Sequence, residues 1–149
     1  MKISGDYVFD APRETVWRVL RDPDVLASAL PGTQRLERVD ENVYQGEMKV
    51  RIGPVGGKFG GKITLSDEVP PERYTMTVEG EGSTGFLKGV GNITLEALDD
   101  GRTRMVYAGE VQIGGRVASV GQRLFDSVSR SIIRQGLDKI NQALQDEGE

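Results

Sequence analysis

The chain of 149 residues contains no cysteine and no histidine. Without cysteine there is no disulfide, thiolate nucleophile, iron–sulfur cluster or cysteine-bound zinc. Without histidine there is no Ser–His–Asp triad, no histidine-ligated metal or haem, and no side chain with an unperturbed near-neutral pKa. Any catalysis would rest on carboxylates, lysine, tyrosine, arginine or a bound cofactor. Aromatic residues make up only 6% of the chain, so each one on a patterned face carries weight. No apolar run approaches the ~20 residues of a membrane-spanning helix. The start, Met1 to Asp6, lacks the apolar core of a signal peptide. These absences predict a cytoplasmic protein that touches the inner face of the membrane at most peripherally. Nineteen Lys/Arg against 23 Asp/Glu leave a net charge of −4, which excludes a chain basic throughout and so a typical nucleic-acid binder.

What is present is 37% apolar and 28% charged, a globular composition at the size of one domain over 1–149. Such a chain can bury roughly 70% of its unfolded surface. Residues 2–9 alternate, with Ile3, Tyr7 and Phe9 on one face, which predicts a strand. Pro12 and then Asp22-Pro23 open two short helices, carrying Val16, Trp17 and Leu20, then Val25, Leu26, Ala29 and Leu30. Six strands follow in succession, over 34–40, 43–52, 59–69, 73–80, 86–98 and 103–113. Turn signals at Asp40-Glu41-Asn42, Pro70-Pro71 and Asp99-Asp100-Gly101 separate several of them.

Alternation with one polar face predicts an antiparallel sheet wet on one side. Residues 117–146 return to helical spacing. Val117, Val120, Leu124, Val128 and Ile132 form one stripe; Ile133, Leu137, Ile140 and Leu144 form a second, rotated from it. Gly136 inside this helix costs about 1 kcal/mol against alanine and predicts a bend or a shift of the buried face. The order predicts an α+β helix-grip fold, a curved antiparallel sheet of about seven strands wrapped on a long C-terminal helix.

Twenty glycines are more than turns require. Gly46, Gly61, Gly80, Gly89, Gly91 and Gly109 fall on the apolar phase of their strands. One reading is that they let a strongly coiled sheet bend. The other is that missing side chains leave room above the sheet. That room would be walled by Tyr44, Met48, Phe59, Tyr74, Met76, Met105 and Tyr107, with Phe86, Leu124 and Val128 added from the hairpin tip and the helix. Adaptable methionines and tyrosine hydroxyls suit an apolar guest with a polar end. Gly53–Lys58 and Gly82–Phe86 would border the mouth.

Other motifs carry less. Gly80-Glu-Gly82-Ser-Thr-Gly85 matches G-x-G-x-x-G, but a strand follows where the nucleotide fingerprint needs a helix. Gly53 to Lys58 is one residue short of a phosphate loop and has Phe59 where Ser or Thr would bind magnesium. Asp67 reads as a rim residue, and no carboxylate pair or metal cluster emerges. Arg116, Arg123, Arg130 and Arg134 fall within about 40° on one helix face. They read either as a solvated face braced by Asp126 and Asp138, or as a docking stripe for acidic headgroups or an acidic protein.

Three segments, "APRETVWRVLRDPDVLASALPGTQRLE", "VRIGPVGGKFGGKITL" and "GEVQIGGRVASVGQRL", resemble the family of the CoxG subunit of carbon monoxide dehydrogenase, within the START-like, SRPBCC superfamily. The resemblance runs over about residues 2–145. It implies a hydrophobic cavity, no catalytic residues, no metal and no tightly held cofactor. It also implies a quinone or lipid guest, association with molybdenum hydroxylase subunits, and transient contact with a membrane surface. The expected function is that of a non-catalytic hydrophobic carrier. The alternatives are a cyclase or dehydratase using Tyr or Asp on the same fold, and a protein adaptor with a vestigial cavity.

Overall fold

The structure, a computed structural model, describes residues 1–30, 32–52 and 54–147. The elements follow the predicted order: β1 (Lys2–Phe9), α1 (Arg13–Val19), α2 (Pro23–Ala29), β2 (Thr33–Asp40), β3 (Val43–Ile52), β4 (Val55–Val69), β5 (Arg73–Gly82), β6 (Gly85–Ala97), β7 (Thr103–Gly114) and α3 (Gln122–Glu147). A 3₁₀ turn at Arg116–Val120 precedes α3. The strands form one antiparallel sheet in the order β1-β7-β6-β5-β4-β3-β2. The chain reaches the far edge through α1 and α2, and every later strand pairs with the one before it. This is the helix-grip arrangement.

Local chemistry sets the helices. Pro23 stands at the first helical position of α2, and the Asp22 carboxylate accepts from the backbone N–H of Asp24 at 2.9 Å. The strand alternation delivers Ile63, Leu65, Tyr74, Leu95 and Met105 to the concave face, where they pack with Leu137, Ile140 and Leu144 of α3. The same core takes in Phe9, Val16 and Leu26. The end of α1 is pinned to the sheet by polar groups. Arg21 pairs with Glu68, donates to Asn42 Oδ1 at 2.9 Å and lies 5.5 Å from the Trp17 ring centroid.

Two differences from the sequence reading have clear causes. β4 starts at Val55 rather than 59, so Gly56 to Lys58 form a paired strand, not a loop. Its two glycines, Gly56 and Gly57, have no side chains with which to show alternation. Gly136 does not interrupt α3. A Cβ there would sit 3.1 Å from the Ala29 carbonyl oxygen, so the glycine lets α2 and α3 cross in near-backbone contact. The interruption falls at Gly121, φ +91°, between the 3₁₀ turn and α3.

Candidate ligand-binding site

The inward glycines divide into two groups. A Cβ at Gly46 would lie 2.0 Å from the Arg35 carbonyl oxygen, and one at Gly109 would lie 2.4 Å from that of Val90. At these two positions the neighbouring strand approaches too closely for a side chain. Gly61, Gly80, Gly89 and Gly91 differ: a Cβ at each meets nothing closer than 3.5 Å. Register joins them into a band. Gly61 pairs with Gly80, Gly89 faces Val78 and Val111, and Gly91 faces Met76 and Gly109. Close strand approach thus explains two inward glycines, and at the other four a Cβ would fit at ordinary contact distance.

Around this band the concave face stays incompletely covered. Met48, Phe59, Val78, Leu87, Val111 and Ile113 are half-buried although they face the α3 side. Leu124 on α3 is 37% exposed, whereas Leu144, near the other end of the helix, is 2% exposed. The far end is closed by a small separate cluster. Val55, Thr84 and Val117 are each less than 9% exposed, yet none belongs to the main core. The 3₁₀ turn is tied there by the Val117 N–H donating to the Thr84 carbonyl at 2.9 Å. Gly115 permits the approach, since a Cβ there would fall 2.6 Å from the Gly85 Cα.

The proposed wall residues separate accordingly. Met48, Phe59, Met76, Tyr107 and Val128 are half-buried, and the four strand residues among them share the concave face with the glycine band. Tyr107 lies across Gly5, its hydroxyl 2.4 Å from where a Cβ would be. Tyr44, Tyr74 and Met105 are committed to the core instead. The Tyr44 hydroxyl donates to the Arg21 carbonyl at 2.6 Å. Tyr74 packs edge-on to Trp17 at 5.3 Å, and burial pushes its phenol pKa up, partly countered by Arg21. Its hydroxyl has no hydrogen-bond partner among the described residues.

Phe86 is a correction. It shares the phase of Lys88 and Val90, so it sits on the convex face, 48% exposed, with its ring over Gly114. Val55, within the predicted Gly53–Lys58 border, folds inward to 8% exposure. Gly53, one border of the predicted mouth, lies outside the described residues.

Sequence reasoning missed Thr84 and Phe125. Thr84 sits in a turn, where no periodicity speaks for it. Phe125, 3% exposed, had a signal, because it falls within about 20° of both Ile132 and Gly136 on the helical wheel.

A sequence profile for the CoxG subunit of carbon monoxide dehydrogenase matches residues 5–145. The chain belongs to the CoxG family. A solved conserved protein from Geobacillus kaustophilus is 31% identical, with a TM-score of 0.93 over 98% of this chain and 96% of that one. Two more distant structures show the fold alone. The ZhuI aromatase/cyclase from Streptomyces sp. R1128 is 13% identical, with a TM-score of 0.72 over 100% and 96% of the two chains. A START superfamily protein from Mycobacterium smegmatis is 10% identical, with a TM-score of 0.71 over 97% of each. Among curated proteins, none matches the sequence.

The arginine stripe of this CoxG chain is broken. Arg116 lies on the 3₁₀ turn, and the left-handed backbone of Gly121 removes it from the helical phase of Arg123, Arg130 and Arg134. Arg130 pairs with Asp126 at 3.1 Å, and Arg134 pairs with Asp138 at 3.8 Å. Arg134 also covers the Tyr7 ring at 5.5 Å. These contacts fit the solvated, internally braced face. Arg123 borders a surface groove of about 570 Å³ with Met1, Lys2, Gln122 and Asp126. Burial and the hydrogen bond to Asp138 push the Tyr7 phenol up to about 12. Among the described residues, no helix is long and apolar enough to cross a membrane, and no cluster of potential metal ligands gathers.

Proposed function

We propose that this protein is a non-catalytic carrier of a hydrophobic small molecule, a quinone or a lipid, serving a carbon monoxide dehydrogenase-type molybdenum hydroxylase. One observation carries the reading. Gly61, Gly80, Gly89 and Gly91 leave out side chains that would fit without a clash, on a concave face bordered by half-buried apolar side chains. A face destined for packing would fill such positions, because glycine within a strand gives up both packing and backbone entropy. Membership of the CoxG family supports the non-catalytic reading of the site and the class of partner enzyme. Met48, Phe59, Met76, Tyr107, Leu124 and Val128 would hold the guest. Contact with the partner and with a membrane surface would be transient.

Titration with a short-chain benzoquinone such as decylubiquinone tests the reading. Tyr107→Ala should weaken binding more than Arg123→Ala does, and Gly80→Leu should abolish binding while the fold survives. Binding that is indifferent to Gly80→Leu would remove the hollow from the account. Native mass spectrometry with lipid extraction of the purified protein should show a co-purifying apolar guest.

A further inference from the structure

We propose that the Thr84 hydroxyl is the polar contact of this hollow, selecting guests that end in a neutral carbonyl-type oxygen over guests that end in a carboxylate or phosphate. The inference rests on the carrier reading and gives it a ligand class. Thr84 is 8% exposed, and its Oγ1 has no hydrogen-bond partner among the described residues. A buried hydroxyl left unpaired costs stability, and a valine of the same shape would avoid that cost. Its carbonyl accepts the Val117 N–H at 2.9 Å.

The hydroxyl lies over the β4 backbone where Gly57 has no side chain. It lies 3.0 Å from the position a Gly57 Cβ would take. Gly57 shares the concave phase of Val55, Phe59 and Gly61, so the hydroxyl sits on the face that carries the glycine band. The strand residues around it on that face, Met48, Val50, Phe59 and Leu87, carry no charge. A single neutral donor in apolar surroundings satisfies a ketone oxygen. It leaves a carboxylate or phosphate short of partners, and an unpaired charge in such a place is far more costly than an unpaired carbonyl. The 3₁₀ turn is bonded to the Thr84 carbonyl, with Gly115 at φ +80° and Gly121 at φ +91° on either side of the turn. These two joints are where the turn would swing to admit the guest's leading end.

Three naphthalenes of similar size test the assignment by equilibrium dialysis: 2-acetylnaphthalene, 2-ethylnaphthalene and 2-naphthoate. The wild type should bind the ketone most tightly and the carboxylate most weakly. Thr84→Val should weaken the ketone about tenfold and leave the hydrocarbon unchanged, and Thr84→Ser should restore ketone binding. Thr84→Ala serves the same comparison if valine does not fit. A Thr84→Val effect equal for ketone and hydrocarbon, or absent for both while the hydrocarbon still binds, would overturn this inference and leave the carrier reading standing. A wild-type protein that binds none of the three would overturn both.

Discussion

The two halves of the concave face obey the same alternation and end in opposite states. Toward the ends of β4 and β6, Ile63, Leu65, Ile93 and Leu95 meet Leu137, Ile140 and Leu144, and all are under 9% exposed. Toward the starts of the same strands, Gly61, Gly89 and Gly91 occupy the equivalent phase, and α3 presents the exposed Leu124. The period of two assigns residues to a face. The size of the side chains on that face decides whether it closes.

If the halves are truly so different, mutations should separate them. The largest effect belongs to the packed half. Phe9→Ala, at a fully buried position, should cost about 3–5 kcal/mol in denaturant unfolding. Arg21→Ala strips Glu68 and Asn42 of their partner at the end of α1 and should cost about 2–3 kcal/mol. Between the halves, two glycines sharpen the contrast. Gly109→Ala, forced against the Val90 carbonyl, should cost about 1–3 kcal/mol. Gly80→Ala meets no clash, its Cβ 4.0 Å from the Gly60 carbonyl oxygen, and should gain about 0.4–1 kcal/mol. Equal losses at the two would show that the band is a matter of backbone shape alone.

The smallest effect is one of pH. The Tyr7 phenol, pushed up to about 12 in the fold against 10 unfolded, favours its protonated form in the native state. Its contribution is complete below pH 10 and is lost as pH rises toward 12. Tyr7→Phe should therefore lose less stability than the wild type across that window. Parallel curves for the two proteins would contradict the Tyr7–Asp138 contact.

The sheet, its register phase and the two short helices were legible in the sequence because the strands alternate almost without error. Val78, Leu87, Ile113 and Tyr107 all face the predicted way. The packed core was less legible. Tyr44, Tyr74 and Met105 share a phase with Met48 and Phe59, and only their height along the strand separates core from hollow. That height depends on where α2 crosses α3, which is set by the contact of Gly136 with Ala29. Phe86 had its phase in the sequence, in step with Lys88 and Val90 and opposite to Gly89 and Gly91, and its place at the hairpin tip does not turn it toward the concave face. Thr84 was invisible because its significance comes from the 3₁₀ turn bonded to its carbonyl. Where that turn lands depends on the backbone angles of Gly115 and Gly121.

That turn also has a kinetic consequence. Five residues tied to the sheet, among the described residues, by one backbone hydrogen bond and one buried valine can detach without disturbing the main core. Amide hydrogens there should exchange through a local excursion, while those of the sheet's packed half wait for global unfolding. Opening of the turn is then uncoupled from overall robustness, and the protein can be hardened at one pole without stiffening the other.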